Sequence, residues 1–408
     1  MAPFDWFKKE KPLQSLTSLG GGAVGGAMAG GVSEGGPYTI TGGTTQTPGN
    51  GYKYFIIKHD TPAPESNLSI TQDGSPGYIN ISFLAVGGGG AGGVGGSNDW
   101  GSGGGGGGAA VQKMDYEEII LAGPDTWPVS IGQGGMARDR ASPAPQGGVP
   151  ANPNPDGPYK GGSTVITIPS PKSPLTITAV GGGGGLASPT NSPATTESGT
   201  FGSGGGAPHG SPGNGQYELN GIVAPAGVPQ TIDADGNTPL SGIGYAGGQG
   251  QRTGQYNGPA NSGSGGGGGG AGQVGQNAVP GGPLPTSNPR AKGGQGGHGI
   301  RAFNGDSGVN PYGEGGGPQP GRYFAGGGGG GQGDGGPYYQ GGPGGTGGGG
   351  SGGGSDNYPW GPTASPGQVH TGGGGGGSGG IYTVTPTFRS APGGPGIVIF
   401  RVPTSILT

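Results

Sequence analysis

Three short apolar stretches in this chain run directly into almost uninterrupted glycine. They read FLAVGGGGAGG at residues 83–93, LTITAVGGGGG at 175–185 and YFAGGGGGG at 323–331. Glycine costs about 1 kcal/mol relative to alanine inside a helix, and without a side chain it adds little to a pleated sheet. The hydrogen-bonding groups of the backbone are therefore the main source of stability left to such a stretch.

An extended threefold helix of the polyproline II type suits a chain of this kind. It rises about 3.1 Å per residue, makes no internal hydrogen bonds and leaves every N–H and C=O free for a neighbour. Without Cβ atoms, such rods pack side by side. The sequence therefore predicts a mainly β and irregular fold with almost no α-helix, in which a small β-strand layer is combined with a bundle of packed polyglycine II helices. The predicted rods are 87–96, 101–108, 263–272, 326–336, 341–354 and 372–380.

The composition has to be reconciled with an ordered fold. The chain has 118 glycines and 42 prolines among 408 residues, a share that is typical of low-complexity or disordered sequences. Only 9% of the residues are charged, however, whereas disordered chains ordinarily carry far more charge. No Gly-X-Y register is kept, which excludes collagen. We therefore expect an ordered chain.

Short apolar segments of alternating character predict the β-layer. Met114–Ile120 is the one place where the sequence allows a helical turn. Because only 27% of the residues are hydrophobic, we expect a small layer that is covered in a homo-oligomer, with a trimer favoured. The predicted strands are 52–57, 78–86, 127–131, 164–168, 175–180, 381–384 and 397–402.

Residues 1–36 differ from the rest and are predicted to form an N-terminal anchoring arm, ahead of a glycine-rich β/polyglycine domain at 37–408. The candidate anchor is the aromatic and basic cluster Phe4, Trp6, Phe7, Lys8 and Lys9. Such an arm inserts into a partner; the alternative is a tail that packs on its own domain. The stretch 19–32, which consists mostly of small and apolar residues, is similar in composition to a signal peptide but lacks the leucine-rich central region of one.

The sequence contains no coherent set of catalytic residues, and we expect neither an enzyme nor a cofactor. With no cysteine, disulfides and thiolate metal sites are excluded. Two GGSGG segments, at 349–353 and 376–380, match the nucleophile-elbow pattern without its strand-to-helix setting. The loop from Asp233 lacks the glutamate that ends a calcium-binding loop.

A net charge of −4 without a basic block argues against nucleic-acid binding, and no apolar run is long enough for membrane insertion.

Aromatic residues in the predicted reversals between rods are the candidate recognition residues. Exposed aromatic rings stack on sugars and anchor protein contacts. Since apolar surface is scarce in this chain, the alternative is that the rings cap the bundle or pack against a neighbouring subunit. The candidates are Trp100, Tyr312, Tyr338, Tyr339, Tyr358 and Trp360.

Six short stretches, in their order along the chain, resemble the glycine-rich domain of structural proteins from tailed phages, cyanophages included. The resemblance covers residues 50–402 and leaves out the N-terminal arm. The stretches are NGYKY at 50–54, FLAV before the glycines at 83–86, WPVSIGQGG at 127–135, GSTV at 162–165, AVGGGGG at 179–185 and GGPGIVIFRV at 393–402.

The resemblance implies a virion structural protein, either a tail fibre or a surface-exposed adhesin component with loops available for host attachment. The implied partners are other virion subunits and a receptor on the host surface. Two alternatives stay open. One is a capsid-decorating or head-fibre protein of the virion, and the other is a secreted extracellular protein of the cell surface, or an ice-binding protein, built on the same rods.

Overall fold

The computed structural model describes residues 37–60, 66–72, 77–95, 101–120, 123–137, 159–169, 174–186, 201–208, 238, 242–252, 263–279, 292–333, 341–354, 363–379 and 390–408. This part of the chain contains β-strands, irregular extended segments and three 3₁₀ turns, and no α-helix. The expectation of a mainly β and irregular fold is confirmed here. The 3₁₀ turns are Ala302–Gly305, Ser307–Val309 and Thr404–Ile406.

Ten strands form two antiparallel five-stranded sheets, and four very short strands form two further pairs. The strands are β1 (Tyr38–Thr41), β2 (Thr44–Gln46), β3 (Tyr52–Lys58), β4 (Asn67–Gln72), β5 (Gly77–Val86), β6 (Ala110–Ile120), β7 (Gly123–Ser130), β8 (Thr164–Ile168), β9 (Leu175–Ala179), β10 (Gln251–Arg252), β11 (Gly263–Ser264), β12 (Ile300–Arg301), β13 (Tyr323–Phe324) and β14 (Ile397–Pro403). The first sheet has the order β2-β3-β14-β5-β6, and the second has the order β1-β4-β7-β8-β9.

The two sheets share an apolar core. Alternate residues of β5 and β14 meet those of the second sheet there, and the Trp127 and Phe400 rings lie 6.0 Å apart, edge to face. The opposite face of the first sheet is also covered, since Ile56, Leu84 and Ile399 pack in a second cluster that includes residues from 300–325. The centre of the first sheet, formed by β3, β14 and the second half of β5, is therefore buried on both faces, which explains the continuous apolar runs of these strands.

Most of the strands expected from the sequence are confirmed, and one expectation is wrong. Met114–Ile120 forms no helical turn, because it belongs to β6, where it pairs with β5 across an irregular register near Ile81. The strand expected at 381–384 lies outside the described residues. The sequence did not predict β1, β2 and β4, which are short and rich in threonine, asparagine and glutamine.

Several strands continue into glycine segments without a turn and keep their pairing register. Val86 faces Ala110 in the first sheet, and the next residue, Gly87, donates its N–H to the Ala109 carbonyl at 3.0 Å. The same antiparallel register then joins Gly90 to Gly106 and Gly93 to Gly103. Beyond the sheet, bonds between a given pair of segments recur at every third residue.

The segment 101–109 shows how the glycine segments are packed. Its successive amides donate to three different neighbours, and its carbonyls accept from three others, so that hydrogen-bonded chains surround it. The donors bond to segments 263–269, 372–378 and 180–186, and the acceptors receive bonds from segments 87–93, 203–206 and 328–331. Four such bonds, from Gly104 to Gly266, Gly105 to Gly375, Gly106 to Gly183 and Gly107 to Gly269, measure 2.8–3.0 Å.

The same contacts arrange the described glycine segments in four layers. The stretch 341–354, expected as one rod, is instead two antiparallel segments joined by a turn at 346–348, so that expectation is wrong. The first layer contains 159–163, 180–186, 201–208 and 242–250; the second contains 131–137, 87–95, 101–109, 263–272 and 273–279; the third contains 390–396, 371–379, 325–333 and 292–299; and the fourth contains 363–368, 347–354 and 341–346. A Cβ on Gly104 would lie 2.1 Å from the Gly328 carbonyl oxygen. The interior of this bundle therefore consists of backbone.

Candidate functional site

Seven breaks in the described chain are flanked by segments that end on the side of the bundle away from the sheets, here called the loop end. The two segments that flank each of these breaks run antiparallel, as where Gly93 bonds to Gly103 at 2.9 Å shortly before the break at 96–100. The chain therefore leaves and re-enters the described structure at the same end. This holds for the breaks at 96–100, 138–158, 253–262, 280–291, 334–340, 355–362 and 380–389.

Five of the six candidate recognition residues fall within three of these breaks. Their own positions lie outside the described residues, so their exposure remains a prediction. The flanking segments bring the three breaks to one end of one bundle, which the sequence alone did not indicate. The five residues are Trp100, Tyr338, Tyr339, Tyr358 and Trp360.

Tyr312 lies elsewhere. It is half-buried beside the first sheet, where its ring packs against the second apolar cluster and the Lys58 ammonium lies 5.9 Å from the ring centroid. This placement matches the packing alternative for an aromatic residue in a reversal. Tyr312 does not belong to the loop end.

The opposite end of the molecule, here called the sheet end, carries the start of the described chain. Tyr38 opens β1 opposite Gln72, and Gln72 in turn faces Gly123, at the end of β7 that points away from the bundle. The Thr408 amide donates to the Tyr38 carbonyl at 3.1 Å. Residue 37 therefore lies far from the loop end. The anchor candidates Phe4, Trp6, Phe7, Lys8 and Lys9 lie outside the described residues.

A buried charged cluster on the first sheet was missed by the sequence reasoning. Arg401 of β14 donates to Asp306 at 3.0 Å, and both side chains are almost fully buried. The guanidinium carbon lies 4.3 Å from the Tyr52 ring centroid and 4.8 Å from that of Phe303. The signal was present in the sequence, because Arg401 is the one charged residue in the apolar strand IVIFRVP.

Tyr54 completes this cluster. Its hydroxyl donates to Asp306, and Asn50 donates to both groups. Burial, together with the hydrogen bond to Asp306, raises the pKa of Tyr54 well above its usual range. Burial alone would raise the pKa of Asp306, but hydrogen bonds from Tyr54, the Gly308 amide and Arg401 outweigh it and hold that pKa below its usual value. The Arg401 Nε is buried without a hydrogen-bond partner, but the two carboxylate oxygens and the Tyr54 hydroxyl are all hydrogen-bonded. The cluster therefore joins β3, β14 and the 3₁₀ turns that flank Asp306.

The remaining titratable residues form no recognisable centre in the described part of the chain. His370 lies 3.9 Å from Asp60, and its pKa is lowered mainly by burial. The described residues include no group of histidine and carboxylate side chains able to hold a metal ion. They also include no helix with the length and apolar character needed to span a bilayer.

The sequence was also compared with protein families and with characterised proteins. Neither the family models nor the curated proteins gave a match. The architecture of the chain and the two ends of the molecule are therefore the features that point to a function.

Proposed function

We propose that the glycine segments are polyglycine II helices and that the protein is a non-enzymatic structural component of a phage virion, a tail fibre or surface-exposed adhesin. The observation that carries the proposal is the separation of the two ends. The chain enters the described structure at the sheet end, and the described segments on both sides of seven breaks end at the loop end. A rigid body of this kind is suited to holding one end on a particle while it presents the other.

Two features support the polyglycine II assignment. Hydrogen bonds between a given pair of segments recur every third residue, which is the repeat of an extended threefold helix. Each interior segment also bonds to neighbours on all sides, whereas a β-strand bonds only to the strand on either side. Measured φ and ψ angles near −75° and +145° are expected through 101–108 and through 265–270, between β11 and the bend that starts at residue 271. A pleated ladder with the two-residue repeat of a β-sheet through these segments would contradict the assignment.

Anchoring through residues 1–36 and recognition through the aromatic residues can both be tested on phage virions. Deleting residues 1–36 is expected to abolish incorporation of the protein into virions while the described fold stays intact. A second variant, with Trp100, Tyr358 and Trp360 each changed to alanine, is expected to incorporate normally and to lose adsorption to host cells. Incorporation without residues 1–36 would contradict anchoring through the arm, and unchanged adsorption of the triple variant would contradict recognition through these aromatic residues.

A further inference from the structure

Residues 300–324 form an excursion between two glycine segments, here called the strap. It leaves the bundle after segment 292–299 and re-enters it before segment 325–333. Its base is closed by pairing of β12 with β13 and by a hydrogen bond from the Ala302 amide to the Arg322 carbonyl at 2.9 Å. The strap covers the second apolar cluster, into which it places Phe303 and Val309.

One carboxylate holds the strap to the first sheet. Asp306 accepts from Arg401 at 3.0 Å and from Tyr54, and its other oxygen accepts from the Gly308 amide at 2.8 Å. These partners belong to β14, to β3 and to the strap itself. Asn50 is the other polar group that contacts this carboxylate. The strap is thus fixed to the sheet by a buried negative charge with a full set of donors.

A second carboxylate holds the strap to the bundle. Glu314 accepts from the backbone amides of Gly347 and Gly348 at 2.7 and 2.6 Å. Both glycines have positive φ angles, 113° and 90°, which turns successive N–H groups toward one point, an arrangement that binds anions. The neighbouring ionisable groups are Arg322, which bonds to the Gly313 carbonyl, and His298, whose Nδ1 accepts from the Thr346 amide. The turn is therefore a carboxylate-binding site that Glu314 fills.

We propose that the strap is a separate conformational unit, clasped by Asp306 and Glu314, which opens when these carboxylates lose their charge while the glycine bundle stays closed. The two carboxylates provide its charged contacts to β3, to β14 and to the turn at Gly347 and Gly348. A neutral contact to the sheet, from the Phe303 amide to the Gln112 side chain of β6 at 2.8 Å, does not depend on their charge. The glycine runs 103–108, 265–270 and 326–331 contain no titratable side chain. Loss of carboxylate charge therefore acts on the strap without acting directly on these runs.

The direction of the pH effect follows from Asp306. Its pKa in the folded protein lies below the usual value, so its charge stabilises the closed strap above about pH 4, and this stabilisation is lost as the pH falls below that value. Opening in acid is therefore expected to begin at the strap.

Hydrogen exchange of the full-length protein at neutral pH tests the proposal without changing the solvent. Asp306→Asn and Glu314→Ala are each expected to speed exchange of the strap amides about tenfold, with no change in segment 103–108. Glu117→Gln, at an exposed residue of β6, is the matched control. It is expected to leave exchange unchanged both in the strap and in segment 103–108. Trypsin is expected to cut both variants faster at Arg301 and Arg322.

Added formate provides the second arm of the test. It is expected to slow strap exchange in Glu314→Ala, by occupying the turn at Gly347 and Gly348, and to have no effect on Asp306→Asn. Unchanged exchange in both variants, or exchange that rises equally in the strap and in segment 103–108, would overturn the strap as a separate unit. Failure of formate to act on Glu314→Ala would overturn the carboxylate-binding role of the turn.

Discussion

At the scale of single residues, the bundle depends on the absence of Cβ atoms at particular positions. Interior glycines face the backbone of neighbouring segments, which cannot move aside as a flexible side chain does. Gly267 is an example, since a Cβ there would lie 2.0 Å from the Gln295 carbonyl oxygen. The glycine content of this chain is therefore a packing requirement and not a measure of flexibility.

Replacing Gly267 by alanine is expected to lower the free energy of unfolding by about 3 kcal/mol, the upper part of the range for overpacked interiors. Valine at the same position is expected to cost more. Gly315→Ala is the matched control, because its new Cβ would meet only Arg322 at 3.6 Å. Chemical denaturation of the three variants measures the difference, and a neutral Gly267→Ala would refute close packing of the segments.

Tyr54 gives a prediction on the alkaline side. Because burial raises its pKa above the usual range, ionisation is disfavoured in the folded protein. Tyr54 therefore contributes stability that is complete below about pH 10 and falls as the pH rises further. Tyr54→Phe removes the hydrogen bond to Asp306 and is expected to lower the free energy of unfolding by about 1–3 kcal/mol at neutral pH. Between about pH 10 and 11, the free energy of unfolding of this variant is expected to fall less steeply than that of the unchanged protein. Denaturation midpoints across this range test it, with the more exposed Tyr78→Phe as control.

At the scale of elements, interior and outer segments differ in sequence. The four uninterrupted runs of six glycines all occupy segments that are surrounded by neighbours. Outer segments instead carry a side chain or a proline at intervals, as at Pro343, Pro366 and Pro392, all of which are exposed. The six-glycine runs are 103–108, 265–270, 326–331 and 372–377. The length of an unbroken run thus indicates how deeply a segment is buried.

Proline substitutions are expected to affect stability differently in interior and in outer segments. Gly106 donates its amide to Gly183 at 2.8 Å, so Gly106→Pro removes a buried bond and adds a ring among packed backbones. We expect a loss of about 3 kcal/mol or more. Among the described residues, the Gln295 amide on an outer segment has no backbone acceptor, and Gln295→Pro is expected to change stability by less than about 1 kcal/mol. Equal losses in the two variants would contradict the layered arrangement.

The sequence predicted these elements unevenly, for physical reasons. Strands with alternating apolar residues, such as β8 and β9, were predicted within about one residue, because one face must be buried. The strap was not predicted, since its fold depends on Asp306 and Glu314 meeting partners far along the chain. Most of the candidate recognition residues belong to breaks in the described chain, so the sequence remains the only basis for their exposure.

At the scale of the whole molecule, the sheets and the bundle form one hydrogen-bonded system. The register set by Ile397 and Val86 in the first sheet continues in the bond from Gly89 to Gly394. Apolar side chains in the sheets thereby set the alignment of segments that have no side chains of their own. That alignment could not be read from glycine runs, because one glycine is indistinguishable from the next.

The backbone interior of the bundle also determines how stability responds to temperature. Exposure of apolar surface raises the heat capacity on unfolding, whereas exposure of polar surface lowers it. A bundle that buries amides in place of hydrocarbon is therefore expected to have a heat-capacity change on unfolding clearly below the usual value of about 12–15 cal/mol/K per residue. Calorimetry of the full chain measures this quantity, and an ordinary value would contradict the prediction. A small heat-capacity change flattens the stability curve, so a protein built in this way keeps its folded state in the cold, where hydrophobic cores weaken.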